Sequence, residues 1–213
     1  MTYKIISTGS QGNAVVLNEI ILVDCGVPFK ALQQHYKVLK LVLLTHTHSD
    51  HLNRTTVKTL ARERPTLRFA CGPWLAKEIV DCGVQKQNID VLDFGIIYNY
   101  GICNVIQFPL THDVPNCGYK VHFPNGKVIY ATDTNNLNGV TARDYDLYLI
   151  EANYGEEEIE ERISEKKVSG EYAYEKRVLR THLSKEKCDD FIYRYIGRKG
   201  KYVYMHCHRE DEE

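Results

Sequence analysis

Along the chain, apolar residues gather in short runs bounded by glycine, proline and asparagine, and some of these runs give way to helical spacing. Residues 3–8 read as a first strand and Gly9-Ser10-Gln11-Gly12-Asn13 as a tight turn. Ala14–Leu17 and Ile20–Asp24 then predict a hairpin around Asn18-Glu19. Pro28–Tyr36 suits a short helix with proline in its first turn. Leu39-Lys40-Leu41-Val42-Leu43-Leu44 is a short buried strand by length and branching. A helix over Leu52–Arg64 is ended by Pro65, a strand covers Leu67–Ala70, and a helix over Pro73–Cys82 has Gly83 at its C-cap position.

In the second half, residues 89–108 give strands with a turn near Asn99–Gly101, and Cys117–Phe123 pairs with Lys127–Ala131 across Pro124-Asn125-Gly126. Leu147–Ile150 is a buried strand, and Gly155–Arg162 is a charged helix. Ser164–Tyr174 is polar and aperiodic, with almost no apolar anchor over Ser164–Gly170, which predicts a mobile loop or lid. Ser184 caps a helix running to Tyr195, and Lys201–Met205 is a last strand.

The 213 residues suit one domain, 1–213, with a sizeable core and no linker, long repeat or low-complexity segment. A formal net charge of -1 gives no global attraction for a polyanion. Charge is uneven, however: glutamates cluster over 156–161, and lysine and arginine dominate 166–201. The cysteines number 7, with no CxxC pair, which fits a reduced protein better than a disulfide scaffold. The N-terminus leads into a strand pattern rather than a signal peptide, and no stretch approaches the roughly 20 apolar residues that span a bilayer. A soluble cytoplasmic protein is expected.

The candidate chemistry lies at His46-Thr47-His48-Ser49-Asp50-His51, directly after the buried strand. So dense a set of potential metal ligands has no use in a hydrophobic core. His46 and His48 are two apart and project to one side of an extended backbone, while Asp50 and His51 come where the chain turns helical and can face a second, adjacent ion. Further candidates each follow a strand-like run: His112, Asp133, and His206 with His208 close behind. His35 is expected at the surface and His122 within a hairpin. The glycine-rich turn at 9–13 lacks the lysine and following helix of a phosphate-binding loop.

The H-x-H-x-D-H motif resembles that of the metallo-β-lactamase superfamily, and the later ligands stand in the order which that family needs. The resemblance covers essentially the whole chain. It implies an α/β fold, a four-layer αββα sandwich, with a dinuclear metal site at one edge. It gives His46, His48 and His112 to one ion and Asp50, His51 and His206 to the other, with Asp133 bridging and His208 as the alternative to His206. Mixed imidazole and carboxylate donors suit zinc, with manganese or iron open. Cys207 is expected to be buried rather than ligating. Asp24 is either the carboxylate that orients the histidine loop in this family or an ordinary turn acid. Ser10 and Asn13, in a turn beside the metal site of the family, are candidates to touch substrate.

Glu151-Ala152-Asn153-Tyr154 and Thr181-His182-Leu183-Ser184 resemble the glutamate and HST-type motifs of tRNase Z and its relatives. The HLS form after a tyrosine-rich basic stretch is similar to the YycJ/WalJ group of small exonuclease-like proteins. The resemblance makes His182 the group that touches the scissile phosphate and protonates the leaving oxygen, with Glu151 orienting it and Asp50 the third catalytic residue. Tyr172, Tyr174 and Arg177 can close over a base or phosphate, or pack against a second subunit in a homodimer. The chain is too short for a β-CASP insertion and shows no tRNA-gripping arm, so pre-tRNA processing is not expected.

The substrate is then a phosphodiester, in a nucleic-acid strand guided by segment 166–201 or in a cyclic nucleotide, as for the anti-Pycsar phosphodiesterases of bacteriophages. Thiolester hydrolysis of the glyoxalase type stays open on fold alone, although Glu151 and His182 have no task in it. A non-catalytic binding module would lack ligands, and none is missing.

Overall fold

The computed structural model describes residues 1–169 and 174–207. It divides into two compact units, Met1–Tyr98 and Asn99–Glu213.

The first unit is built on a sheet whose strands pair in chain order: β1 (Tyr3–Ser7), β2 (Ala14–Leu17), β3 (Ile21–Val23), β4 (Leu41–Leu44), β5 (Arg68–Cys71) and β6 (Ile89–Val91). β1, β2 and β3 are antiparallel, and between β2 and β3 Asn18 and Glu19 take φ of 45° and 65° and close a tight hairpin. From β3 onward the pairs are parallel, with α1 (Arg54–Glu63) and α2 (Pro73–Asp81) as the crossovers after β4 and β5. Leu22, Val42, Leu44, Leu60, Phe69 and Leu75 form the centre of its core. The helix expected over Pro28–Tyr36 is a single 3-10 turn, Phe29–Leu32. α1 begins at Arg54 rather than Leu52 because the Asn53 side chain caps it, accepting the Thr56 N–H at 3.0 Å.

A second sheet has the order β12-β11-β10-β9-β8-β7. Its strands are β7 (Ile97–Asn99), at the boundary of the units, β8 (Asn104–Leu110), β9 (Asn116–Phe123), β10 (Gly126–Ala131), β11 (Leu147–Glu151) and β12 (Lys201–Met205). β8 to β10 are antiparallel, and β10, β11 and β12 are parallel. Three helices belong to this unit: α3 (Glu156–Ser169), α4 (Glu175–Thr181) and α5 (Lys185–Tyr195). Ile129, Tyr148, Ile150, Leu183, Phe191 and Ile192 pack at its core. Because three neighbouring strands run the same way, the residues after Ala131, Glu151 and Met205 leave the sheet at one end. Carboxyl ends of parallel strands are where α/β sheets carry their ligands.

The expected loop over Ser164–Tyr174 needs correction, since α3 runs on to Ser169. Charge, not apolar periodicity, supports it. Glu156, Glu157 and Glu158 lie in its first turn and Lys166 and Lys167 in its last, matching the helix dipole. Arg162 pairs with Glu158 one turn back, and Lys166 reaches Glu175 of α4, both at 2.5 Å. Residues 170–173, with Tyr172, and His208 lie outside the described residues. Cys207 is exposed, contrary to the expectation of burial, because it follows the last strand rather than filling it. Among the described residues no helix is long and apolar enough to cross a membrane.

Candidate functional site

In the first unit the chemistry begins where β4 ends. Thr45, His46 and His51 are buried, and His48 and Asp50 are partly so. The ring centroid of His46 lies 4.2 Å from that of His51 and 4.8 Å from that of His48, so three imidazoles converge. Asp24, which ends β3 with a left-handed φ of 58°, is fully buried beneath them. Its Oδ1 accepts the Thr45 N–H at 3.0 Å and the Thr45 hydroxyl at 2.9 Å, and its Oδ2 takes Nδ1–H of His51 at 2.7 Å.

These bonds fix proton positions. The Thr45 hydroxyl spends its hydrogen on Asp24, so at 3.0 Å its oxygen accepts Nδ1–H of His46. Both rings therefore carry hydrogen on Nδ1 and offer the Nε2 lone pair, the form in which imidazole ligates a metal. The Asn13 amide nitrogen, 2.8 Å from Nε2 of His51, treats that atom as an acceptor too. Of the two readings of Asp24, the structure supports the orienting one. Neighbouring strand ends are stitched to the loop: Asn13 N–H donates to Asp50 O at 2.6 Å, and Cys25 N–H to His51 O at 2.9 Å. Gly26 passes so close that a Cβ there would stand 1.7 Å from Asp50 O. Trp74 donates its indole N–H to Thr45 O at 3.1 Å, steadying the end of β4.

In the second unit, Asp133, Glu151, His182 and His206 each offer a ligand atom, all within 4.8 Å of one another. Asp133 Oδ1 is 2.9 Å from Nδ1 of His206 and 3.5 Å from Nδ1 of His182. Glu151 Oε1 meets Nδ1 of His182 at 2.6 Å, while its Oε2 accepts the Thr134 N–H at 2.8 Å. Burial first, and the Asp133 carboxylate second, push Glu151 well above the ordinary carboxylate range. His112 holds Nδ1 against Thr181 O at 2.9 Å; a carbonyl only accepts, so this ring too carries hydrogen on Nδ1. Burial lowers its pKa, which favours the neutral, ligating form. Asn116, whose role the sequence does not signal, donates to Asp133 O at 2.6 Å and to Thr132 O at 3.0 Å, holding the bend after β10.

Ser10 is exposed, and Asn13 is fully buried with its amide engaged by the 9–13 turn and by the 50–51 segment. Arg177 binds Asp113 at 2.6 Å, and Asp113 lies 3.2 Å from Nε2 of His112. His35 is half-buried, and His122 meets the Tyr145 hydroxyl at 2.6 Å, a structural contact. Thr45 and Asn116 are the positioning residues that sequence reading missed; a threonine between a strand and a histidine pair was the one available signal.

The chain is similar to several known proteins. The family model described as β-lactamase superfamily domain matches residues 20–183. The exodeoxyribonuclease WalJ of Streptococcus pneumoniae is 26% identical over 228 residues, covering 95% of this chain and 80% of that protein. The exodeoxyribonuclease YycJ of Bacillus anthracis is 28% identical over 144 residues, covering 62% of this chain and 54% of its own length. The crystal structure of human tRNase Z, short form, superposes with a TM-score of 0.71 at 16% identity, over 100% of this chain and 95% of that one.

Proposed function

The chain belongs to the β-lactamase superfamily, and from that premise we propose that it is a dinuclear metal-dependent phosphodiesterase that cuts nucleic-acid strands. The donors fit a metal by their chemistry: buried imidazoles held as Nδ1–H tautomers, together with carboxylates. His46, His48 and His112 would hold one ion and Asp50, His51 and His206 the other, with Asp133 shared between them. Zinc suits this set best. Two such ions would supply a water of lowered pKa and positive charge for the phosphate oxygens.

The remaining work falls to the chain. Asp24 and Thr45 keep the ligating nitrogens of His51 and His46 unprotonated, Asp50 joins the catalytic set, and Thr181 O does for His112 what Asp24 does for His51. One observation carries the phosphodiester reading: Glu151 grips Nδ1 of His182 at 2.6 Å. A nucleotide alkoxide leaves badly without a proton, and this pair supplies a positioned donor at Nε2. A thiolate leaves without such help, so the pair favours the phosphodiester over the thiolester. The names of the two exodeoxyribonuclease relatives support a strand rather than a cyclic mononucleotide.

The test is turnover by protein loaded with zinc or manganese on single-stranded DNA, duplex DNA, cyclic nucleotides and bis-para-nitrophenyl phosphate. DNA hydrolysis is expected. His182→Ala should lose roughly 10²–10⁴-fold on DNA while retaining its metal, and lose less on the nitrophenyl diester, whose leaving group needs no proton. Equal losses on both would make His182 a phosphate-binding group. Turnover confined to cyclic nucleotides would replace the strand reading, and elemental analysis finding one ion or fewer would reject the dinuclear one.

A further inference from the structure

Beside the Glu151–His182 pair, the second unit holds a cavity of about 350 Å³, within the size range of small-ligand sites. It is reached from the catalytic residues by single steps along the chain. Ala152 and Asn153 line it just after Glu151, and Cys207 lines it just after His206. Asn153 ties these two segments together, donating to His206 O at 2.8 Å.

The lining has the composition of a base pocket. Tyr154, Tyr174 and Tyr204 bring three aromatic rings, and Ile159 and Val178 an apolar floor. The Tyr204 ring is held rigid: its hydroxyl donates to Asp189 at 2.5 Å, and the Lys185 ammonium sits 5.8 Å from its centroid. Tyr154 is pinned through its backbone, whose carbonyl accepts the Lys185 N–H at 2.8 Å. Arg162, paired with Glu158, and Lys185 bring polar, charged groups to the wall. Glu175 also lines the cavity. Its Oε1 takes the Lys166 ammonium at 2.5 Å, and its buried Oε2 has no hydrogen-bond partner among the described residues. A carboxylate so placed accepts from an amino group, as on cytosine or adenine.

We propose that this cavity seats a nucleobase of the substrate strand, stacked on the tyrosines, with amino-bearing bases preferred. This deepens the phosphodiesterase reading and rests on it. The base anchors the strand beside Glu151 and His182, and because every base has a π-face the site grips successive nucleotides with modest selectivity.

Cys207 makes the site observable without turnover, since it is exposed and the other cysteines are buried. Full-length protein is alkylated with N-ethylmaleimide under rising dCMP, dAMP, dTMP or deoxyribose 5-phosphate, and the rate at Cys207 is read by mass spectrometry. The nucleotides should protect, dCMP and dAMP at lower concentration than dTMP, and the base-free sugar phosphate should not. Tyr174 is 52% exposed, so Tyr174→Ala removes little core, and it should raise the half-protecting concentration about 5- to 100-fold. Tyr174→Leu keeps the bulk without the aromatic face and decides the matter if the alanine variant fails to fold. Tyr193→Ala, at a tyrosine 89% exposed on α5 and outside the cavity, should change nothing. Protection by deoxyribose 5-phosphate equal to that by dCMP, no protection at all, or an unchanged half-protecting concentration in both Tyr174 variants would overturn the proposal. Wild-type turnover of bis-para-nitrophenyl phosphate, which has no base, tests the phosphodiesterase reading separately.

Discussion

Asp24→Asn is the most informative single change in the first unit. The substitution keeps the size of the side chain and a residue type that tolerates the left-handed φ of 58°. It keeps one oxygen to accept the Thr45 N–H and hydroxyl at Oδ1, now held at 3.0 and 2.9 Å. What changes is the 2.7 Å contact to His51. An amide nitrogen there donates, so Nδ1 of His51 has to accept and the ring proton moves to Nε2. The nitrogen needed for a metal is then blocked in the ground state, as when an orienting aspartate behind a catalytic imidazole is made asparagine. Losing such a partner behind a ligating histidine typically costs 10–100-fold in metal affinity. Losing the charge-assisted bond itself removes about 1.5–3 kcal/mol from the metal-free protein.

Asp24→Ala goes further. It strands the Thr45 N–H, the Thr45 hydroxyl and Nδ1–H of His51, at roughly 1–3 kcal/mol for each buried unmet donor, and it leaves the left-handed backbone without the side-chain hydrogen bonding that Asp or Asn provides. Alanine should therefore be less stable than asparagine, and asparagine than wild type. Urea unfolding of metal-free protein gives the stabilities, and competition with a chromophoric zinc chelator gives the affinity. A wild-type zinc affinity in Asp24→Asn would refute the tautomer argument, whatever the stability.

The other expectations are shorter. Gly26→Ala should cost about 1–3 kcal/mol and weaken metal binding, because its Cβ would displace the backbone at Asp50 rather than a flexible side chain; a wild-type urea midpoint would contradict it. His122 titrates below its ordinary value of 6.5, chiefly through burial and then through Lys127 and Lys120. The unfolded chain therefore binds the proton first, so the contribution of His122 to stability is complete above about pH 6.5 and is lost as pH falls through the lower folded-state value. His122→Phe should flatten that part of the stability profile, and an unchanged slope between pH 7 and 5 would count against it.

How much of this was legible in the sequence depends on the range of the interaction. His46, His48, Asp50, His51, His112, Asp133 and His206 stood out as candidates because they are ligand-type residues in the short segments that follow apolar runs, where a strand has no other use for them. The hairpins at Asn18-Glu19 and Asn125-Gly126 were readable from local turn chemistry. α3 beyond Arg162 and all of α4 were not, because their support is ionic and includes the Lys166–Glu175 contact between helices. Thr45, Asn116 and Trp74 escaped for a related reason. Their hydrogen bonds to Asp24, Asp133 and Thr45 O span 21, 17 and 29 residues, and no periodicity encodes them.

Backbone strain ties the two units to one design. Asp24, Asp133 and His206 all follow strands with a parallel neighbour, β3, β10 and β12, and take φ of 58°, 57° and 50°. Left-handed backbone costs a non-glycine residue of order 1 kcal/mol, and glycine would relieve it at every one of these positions. Glycine, however, would remove a carboxylate or an imidazole at the point where the chain turns off the sheet. Asn18 and Glu19 carry the same strain and are explained by their hairpin, so strain alone identifies nothing. Strain on a buried side chain that faces other buried ionisable groups is different. It persists because the surrounding hydrogen bonds, from Thr45 to Asp24 and from Asn116 to the Asp133 carbonyl, hold the bend in place. Those bonds aim the side chains before any ligand arrives, and such preorganisation is what a metal site or an acid–base pair requires of its scaffold.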